Sequence, residues 1–328
     1  MAEYRYTFKK FIKDWMLIIG MVAGASIYLA YHAIPELHTA GPVLEKACKT
    51  IQPILLFTML FLTFCKIEPR ELKPRKAMLK GLALQGGLFV ALALVLTFFP
   101  GIPHRIGIEA LMLCLICPTA TACAVVTGKL GGDMAGVLTY TILINLLVAV
   151  LVPLMVPFIH PIEGMTFISA FAKILSKVFP LLIMPCLAAW FVRFCLPELH
   201  AWLLRYTHVS FYIWAVSLTL AILMSTRAIV HNEDSLSLLI DIAVASLAAC
   251  IFQFWAGKRI GARYGKRITA GQALGQKNTV FGIWMGYTFL DPIVSVSCGF
   301  YSIWHNCYNT WQLYQVRKTK ESLQTKEI

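Results

Sequence analysis

Residues 271–282 read GQALGQKNTVFG. Apolar and aromatic residues flank the stretch on both sides, yet it holds Gln272, Gln276, Lys277 and Asn278. Lys277 lies near the middle of the apolar run 268–289, roughly 14 Å from either end at ~1.5 Å per residue. That distance exceeds the reach of a lysine side chain, so the ammonium cannot snorkel to the membrane surface. Gly271 and Gly275 weaken the helix just ahead of the polar residues. Gln276, Lys277, Asn278 and Thr279 then sweep most of a helical turn, and they cannot all face lipid cheaply. Unwound backbone at membrane depth persists only where protein or a water-filled cavity satisfies it. The stretch predicts a broken helix inside a bundle, with an intramembrane amine as a functional candidate.

The rest of the chain supports a membrane setting. Of its 328 residues 59% are hydrophobic and 14% charged, where a soluble domain carries about 25% charged residues. The net charge of +13 does not point to nucleic acid. Its Lys and Arg fall in short gaps between apolar runs instead of clustering on one folded face. Ten runs approach the ~20 residues needed to cross the hydrocarbon, at 15–34, 50–65, 77–99, 106–127, 134–158, 167–192, 203–227, 236–257, 268–289 and 292–314. Assigned to alternate sides, 22 of the 29 basic residues fall with the two termini, among them Arg5, Lys9, Lys73, Arg259, Arg267 and Lys326. The positive-inside rule makes that side, and both termini, cytoplasmic. The first run is too long for a signal-peptide core and is read as a retained helix. The ten cysteines lie mostly in apolar runs, where they act as small hydrophobes. Cys114 and Cys117 form a CxxC without an evident partner, so no metal site is expected.

Ten helices divide into halves of five, residues 1–160 and 161–328, and an odd-numbered repeat places its second copy upside down. Internal matches support the division. The third run carries Gln85 in GLALQGGLF and the eighth carries Gln253 in CIFQFWAG. The fourth is interrupted by CPTATACAVVTG (117–128), the ninth by GQALGQKNTVFG. Pro118 removes a backbone donor and clashes with the preceding turn, leaving carbonyls that Thr119, Thr121 and Cys123 can serve. Interrupted helices at corresponding places of two halves are the best sequence pointer to a transport site.

Three stretches resemble the bile acid:sodium symporter family of the bacterial, ten-helix type. CPTATACAVVTGKLGGD (117–133) is similar to the family's C-P-G-G-T-A-S-N-V-V-T-Y-L-A-K-G-D, GQKN (275–278) to its G-M-Q-N, and FYSIWHN (300–306) to its F-S-V-W-H-N. The resemblance implies an all-α polytopic protein of two inverted five-helix repeats. A core of helices 3–5 and 8–10 contains two crossing broken helices, the fourth and ninth, beside a panel of helices 1, 2, 6 and 7. It also implies a bacterial-type inner membrane.

The family binds two sodium ions where the broken helices cross, and this chain departs from that pattern. The family's Ser-Asn pair is replaced by Cys123 and Ala124, its Ser and Thr by Val137 and Thr141, its Glu by Ala273, and its Gln by Lys277. Only Thr141 and the third-helix Gln85 match. Two sodium ions plus a glutamate sum to one positive charge, as do a lysine and an alanine. Lys277 is therefore expected to replace the ions, bonding unwound carbonyls of the fourth helix, Thr121 or an anionic substrate. Asn278 and Gln276 belong to the same crossover, with Gln272, Gln253 and Asn145 as further candidates. His305 and Asn306 are assigned to helix packing, and Glu109 and Asp291 to solvated caps at span ends.

The expected function is secondary active transport of a small organic anion, independent of sodium and either proton-coupled or facilitative. Where transport is coupled, Na⁺ or H⁺ is the expected coupling ion, and no cofactor is expected. A sodium-coupled symporter is the alternative, and a non-transporting membrane receptor is the reading from another class. An intramembrane protease would want two facing carboxylates or a Ser with a His or Lys partner, and neither pattern is present. The expected partners are the anion and the bilayer, with no nucleic acid and a monomeric state.

Overall fold

The computed structural model describes residues 8–231 and 236–324; Arg5 and Lys326 lie outside them. Fourteen α-helices follow in chain order among the described residues. They are α1 (Phe8–Ala33), α2 (Gly41–Cys65), α3 (Lys76–Phe98), α4 (Arg105–Ile116), α5 (Cys123–Lys129), α6 (Met134–Ile159) and α7 (Phe167–Leu182). Then come α8 (Met184–Cys195), α9 (Pro197–Arg205), α10 (Val209–Val230), α11 (Leu236–Ala262), α12 (Arg267–Gly275), α13 (Thr279–Phe289) and α14 (Val296–Gln324).

Local chemistry sets many of the boundaries. Asp133 caps α6 by accepting from Gly136 N–H at 3.0 Å, and Thr166 caps α7 by accepting from Ser169 N–H at 3.3 Å. Pro180 and Pro185 flank the junction of α7 and α8, which bend by 41°. Pro53 stays inside α2, so the second apolar run, expected from 50, is helical from Gly41.

Among the described residues six helices are long and apolar enough to cross a membrane, or seven if α7 and α8 form one bent span. The protein is a polytopic, all-helical membrane protein. The pairs α4/α5 and α12/α13 fall outside that count because breaks shorten each half. The segment α14 carries His305, Asn306, Asn309 and Gln312, which lower its mean hydropathy.

One group of mutually packed helices comprises α3, α4, α6, α11, α12 and α14; α1, α2 and α8 pack around α10 or one another, and α6 contacts α7. The helices α11 and α12 approach closely. A Cβ on Gly257 would run into the Ala270 carbonyl and the Gly271 Cα. Both are backbone and cannot swing aside. Gly257→Ala should therefore separate the helices and cost about 1–3 kcal/mol, read as a lower melting temperature in detergent.

At the polar end of this group Asp133 pairs with Arg75 (2.7 Å) and Lys266 (3.2 Å), pinning together the starts of α3, α6 and α12. Burial alone would raise the Asp133 pKa. The Gly136 N–H, Lys266 and Arg75 outweigh it and hold the carboxyl below its usual value.

Glu109 is not a solvated cap. Its side chain is fully buried, with Oε2 2.9 Å from His160 Nε2 and Oε1 3.1 Å from Arg105 Nε. The sequence position near a span end concealed this, because α4 enters the packed group at its very first turn.

Candidate functional site

Both interrupted helices break where expected, and they break against each other. The helix α4 ends at Cys117 in an extended conformation, and α12 ends at Gln276 likewise. The two extended stretches meet as a short antiparallel bridge between Thr119 and Lys277. Ala120 N–H donates to the Gln276 carbonyl (2.9 Å), and Asn278 N–H to the Pro118 carbonyl (2.8 Å).

A broken helix leaves carbonyls without intrahelical partners, and side chains from several elements serve them. Gln85 Nε2 on α3 donates to the carbonyls of Ile116 (3.3 Å) and Cys117 (3.1 Å). Gln253 Nε2 on α11 donates to the Cys114 carbonyl at 3.2 Å. Thr119 Oγ1 donates to Ala273 O (2.8 Å), Cys123 Sγ to Gln272 O (3.2 Å) and Tyr301 OH to Gly275 O (2.8 Å). Asn278 turns its side chain to the other task, capping α13 through Phe281 N–H at 3.2 Å.

Lys277 belongs to this set. Its side chain is 1% exposed, and Nζ donates to the Leu115 carbonyl at 3.3 Å. That carbonyl lies in the last turn of α4, the partially negative end of the helix. The ammonium thus sits where backbone dipoles favour a cation.

The other candidates divide. Gln276 and Gln272 are buried at the crossover with Oε1 atoms that have no partner among the described residues. Gln272 Nε2 donates to Asn309 Oδ1 at 3.0 Å. Ala124 and Ala273 are buried. Thr141 is buried, but its hydroxyl bonds the Val137 carbonyl of its own helix at 2.9 Å. Asn145 is buried, and its Nδ2 has no partner among the described residues. Thr121 is half-buried and has no hydrogen bond to Lys277; the carbonyl of Leu115 takes that place.

Sequence reasoning missed three residues and gave a fourth, His305, to helix packing alone. Tyr140 OH donates to Gln85 Oε1 (2.9 Å), and Tyr301 OH accepts from Gln253 Nε2 (3.1 Å). His305 is buried and accepts from the Lys277 N–H through Nδ1 at 3.4 Å. Cys298 supplies the missing neighbour of the CxxC, its Sγ and that of Cys117 both lying against Gly282. No group of three or more His, Cys, Asp or Glu side chains among the described residues is arranged to hold a metal ion. Tyr301 and His305 share one face of α14 at i, i+4 spacing, a signal present in the sequence, whereas nothing local marks Tyr140 on α6.

The model of the sodium bile acid symporter family matches residues 53–236, more than half of the chain. The chain belongs to that family. Members of the sodium bile acid symporter family are transporters and not enzymes, so this protein is a bile acid/sodium symporter-like membrane transporter. The matched region contains α4, α5 and the first side of the crossover. Comparison with curated proteins brings no match.

Proposed function

We propose that the protein is a secondary transporter of a small organic anion, working by alternating access, in which the fixed ammonium of Lys277 replaces the sodium ions of its relatives. The buried contact of Nζ with Leu115 O carries this reading. It puts a lysine amine at the crossover, tethered to one broken helix and bonded to the other.

The side chains at the family's sodium positions do not fit sodium, which wants several hard oxygen ligands. Cys123, Ala124, Val137 and Ala273 offer no side-chain oxygen. The Thr141 hydroxyl donates within its own helix, and Gln85 Oε1 already accepts from Tyr140. A second cation 4 Å from the ammonium would be repelled by about 4 kcal/mol even at an effective dielectric near 20. A net positive crossover suits an anionic substrate instead, such as a carboxylate or sulfonate. Proton exchange at Lys277 is the coupling this allows, and uncoupled diffusion is the simpler case.

The ten-helix reading counts α4/α5, α7/α8 and α12/α13 as single spans and takes α9 with α10. Residues 1–160 and 161–328 then form the two inverted repeats. The core is α3–α6 with α11–α14, and the panel is α1, α2 and α7–α10. The parallel roles of Gln85 with Tyr140 and Gln253 with Tyr301 support that symmetry. The Lys- and Arg-rich end would be cytoplasmic in an inner membrane, together with both termini.

The test is uptake into proteoliposomes of whichever anion stabilises the purified protein in a thermal-shift screen. Uptake should be unchanged when choline replaces sodium on both sides. Collapse of uptake in choline would overturn the replacement of sodium by Lys277. Binding without net flux would favour a receptor.

A further inference from the structure

A second site lies behind the crossover, on the outer face of the helical group. A cleft of about 820 Å³ runs between α11 and α14. Its walls carry Trp255, Trp304 and Trp311, of which Trp255 and Trp311 are more than half exposed. The adjoining α11 face presents Leu247 and Ile251, also exposed, as a surface facing hydrocarbon presents them. Lys258, Arg259 and Arg267 line the other end of the cleft. Arg259 and Arg267 are exposed and form no ion pair among the described residues. The Lys258 ammonium is fixed in place by Tyr308 OH and Gln312 Oε1, both at 2.7 Å.

The arrangement joins two chemistries in one groove: an apolar, tryptophan-walled channel and a cationic mouth. Tryptophan settles at the membrane–water boundary, and basic pockets between spanning helices hold anionic headgroups. A small soluble anion would use the mouth and leave the channel idle, and a zwitterionic lipid, whose ammonium opposes its phosphate, would gain less from three cations. We infer that the α11–α14 cleft binds an anionic phospholipid, its phosphate at Lys258, Arg259 and Arg267 and an acyl chain along Trp255, Trp304 and Trp311.

The position ties this lipid to the crossover. Phe254 lines the cleft, and its ring fills the space that a Cβ on Gly275 would take. The Lys258 stem packs in the same way against Gly271. A lipid in the cleft therefore bears on the two side chains that back the end of α12.

The experiment titrates full-length, delipidated protein in detergent with phosphatidylglycerol, phosphatidylcholine or glycerol phosphate, following the melting temperature. Phosphatidylglycerol should raise it saturably, and the other two should not. The double variant Arg259→Gln, Arg267→Gln should weaken the apparent affinity for phosphatidylglycerol by about thirtyfold, from the effect of two surface cations on anionic lipid. The variant Trp255→Ala should weaken it with the charges intact. These three side chains are exposed, so the variants fold, and helical circular dichroism checks that they do. An equal response to phosphatidylcholine, or an unchanged affinity in the double variant, would overturn the site. Equal stabilisation by glycerol phosphate would reduce it to a soluble-anion site and likewise overturn the lipid. None of these outcomes depends on Lys277 or on transport.

Discussion

Replacing Lys277 with methionine should lower uptake at least about tenfold, equivalent to ~1.4 kcal/mol in the limiting barrier, while leaving the fold as stable as before. The two halves of this expectation have different causes. Stability is preserved because the natural residue is expensive. A 1% exposed ammonium with a single hydrogen bond, at 3.3 Å, has lost most of its hydration. The effective penalty of burying an ion is several kcal/mol. Methionine has a similar length, fills the same space and carries no charge. Against this, the Leu115 carbonyl is left without its donor, a loss of about 1–3 kcal/mol. The terms roughly cancel, or favour the variant. Transport fails because the charge that favours an anion at the crossover is gone. Arginine should not rescue it, since a larger guanidinium with five donors replaces an amine that bonds one carbonyl among the described residues. Melting curves and uptake measured on the same preparation separate the two effects. A Lys277→Met variant that still transports, or one that no longer folds, contradicts the assignment.

How much of this was legible from the residues alone follows from the range of each interaction. Lys277 and Pro118 declare themselves because each violates a local rule: a charge at mid-span, and a missing donor inside an apolar run. The breaks at 117–122 and 276–278 follow from such violations and lie where expected. Contacts between distant segments leave no such mark. Glu109 looks like any carboxylate at the end of a run, yet it is buried because Arg105 and His160, 51 residues further on, close over it. Tyr140, Tyr301 and Cys298 read as ordinary apolar-helix residues until α6 and α14 are placed against the crossover. Thr141 shows the converse. It matches the family's pattern by residue type, but its hydroxyl turns to its own helix. Residue type was visible; rotamer and partner were not.

The second large effect concerns Arg105. Arg105→Gln should destabilise the protein by about 3–5 kcal/mol, the range for stripping a buried charge of its partner. Its guanidinium ties three helices together. Nη1 donates to Leu96 O at the end of α3 (2.8 Å), and Nη2 to Ile159 O at the end of α6 (3.3 Å), while Nε faces Glu109 on α4 at 3.1 Å. Glu109 is fully buried, whereas Arg105 is 24% exposed and His160 33% exposed. The asymmetry decides which partner matters more. Without Glu109, the cations that remain still reach water, and the cost is modest. Without Arg105, the carboxylate keeps only His160 as a partner among the described residues, and two helix-end carbonyls lose their donor. Glu109→Gln should accordingly cost less than Arg105→Gln. The double variant should be more stable than Arg105→Gln alone, because removing the buried charge removes most of what Arg105 was needed to offset. Chemical or thermal unfolding of the three variants in detergent supplies the cycle. Strict additivity would mean that Arg105 acts through the carbonyls and not through Glu109.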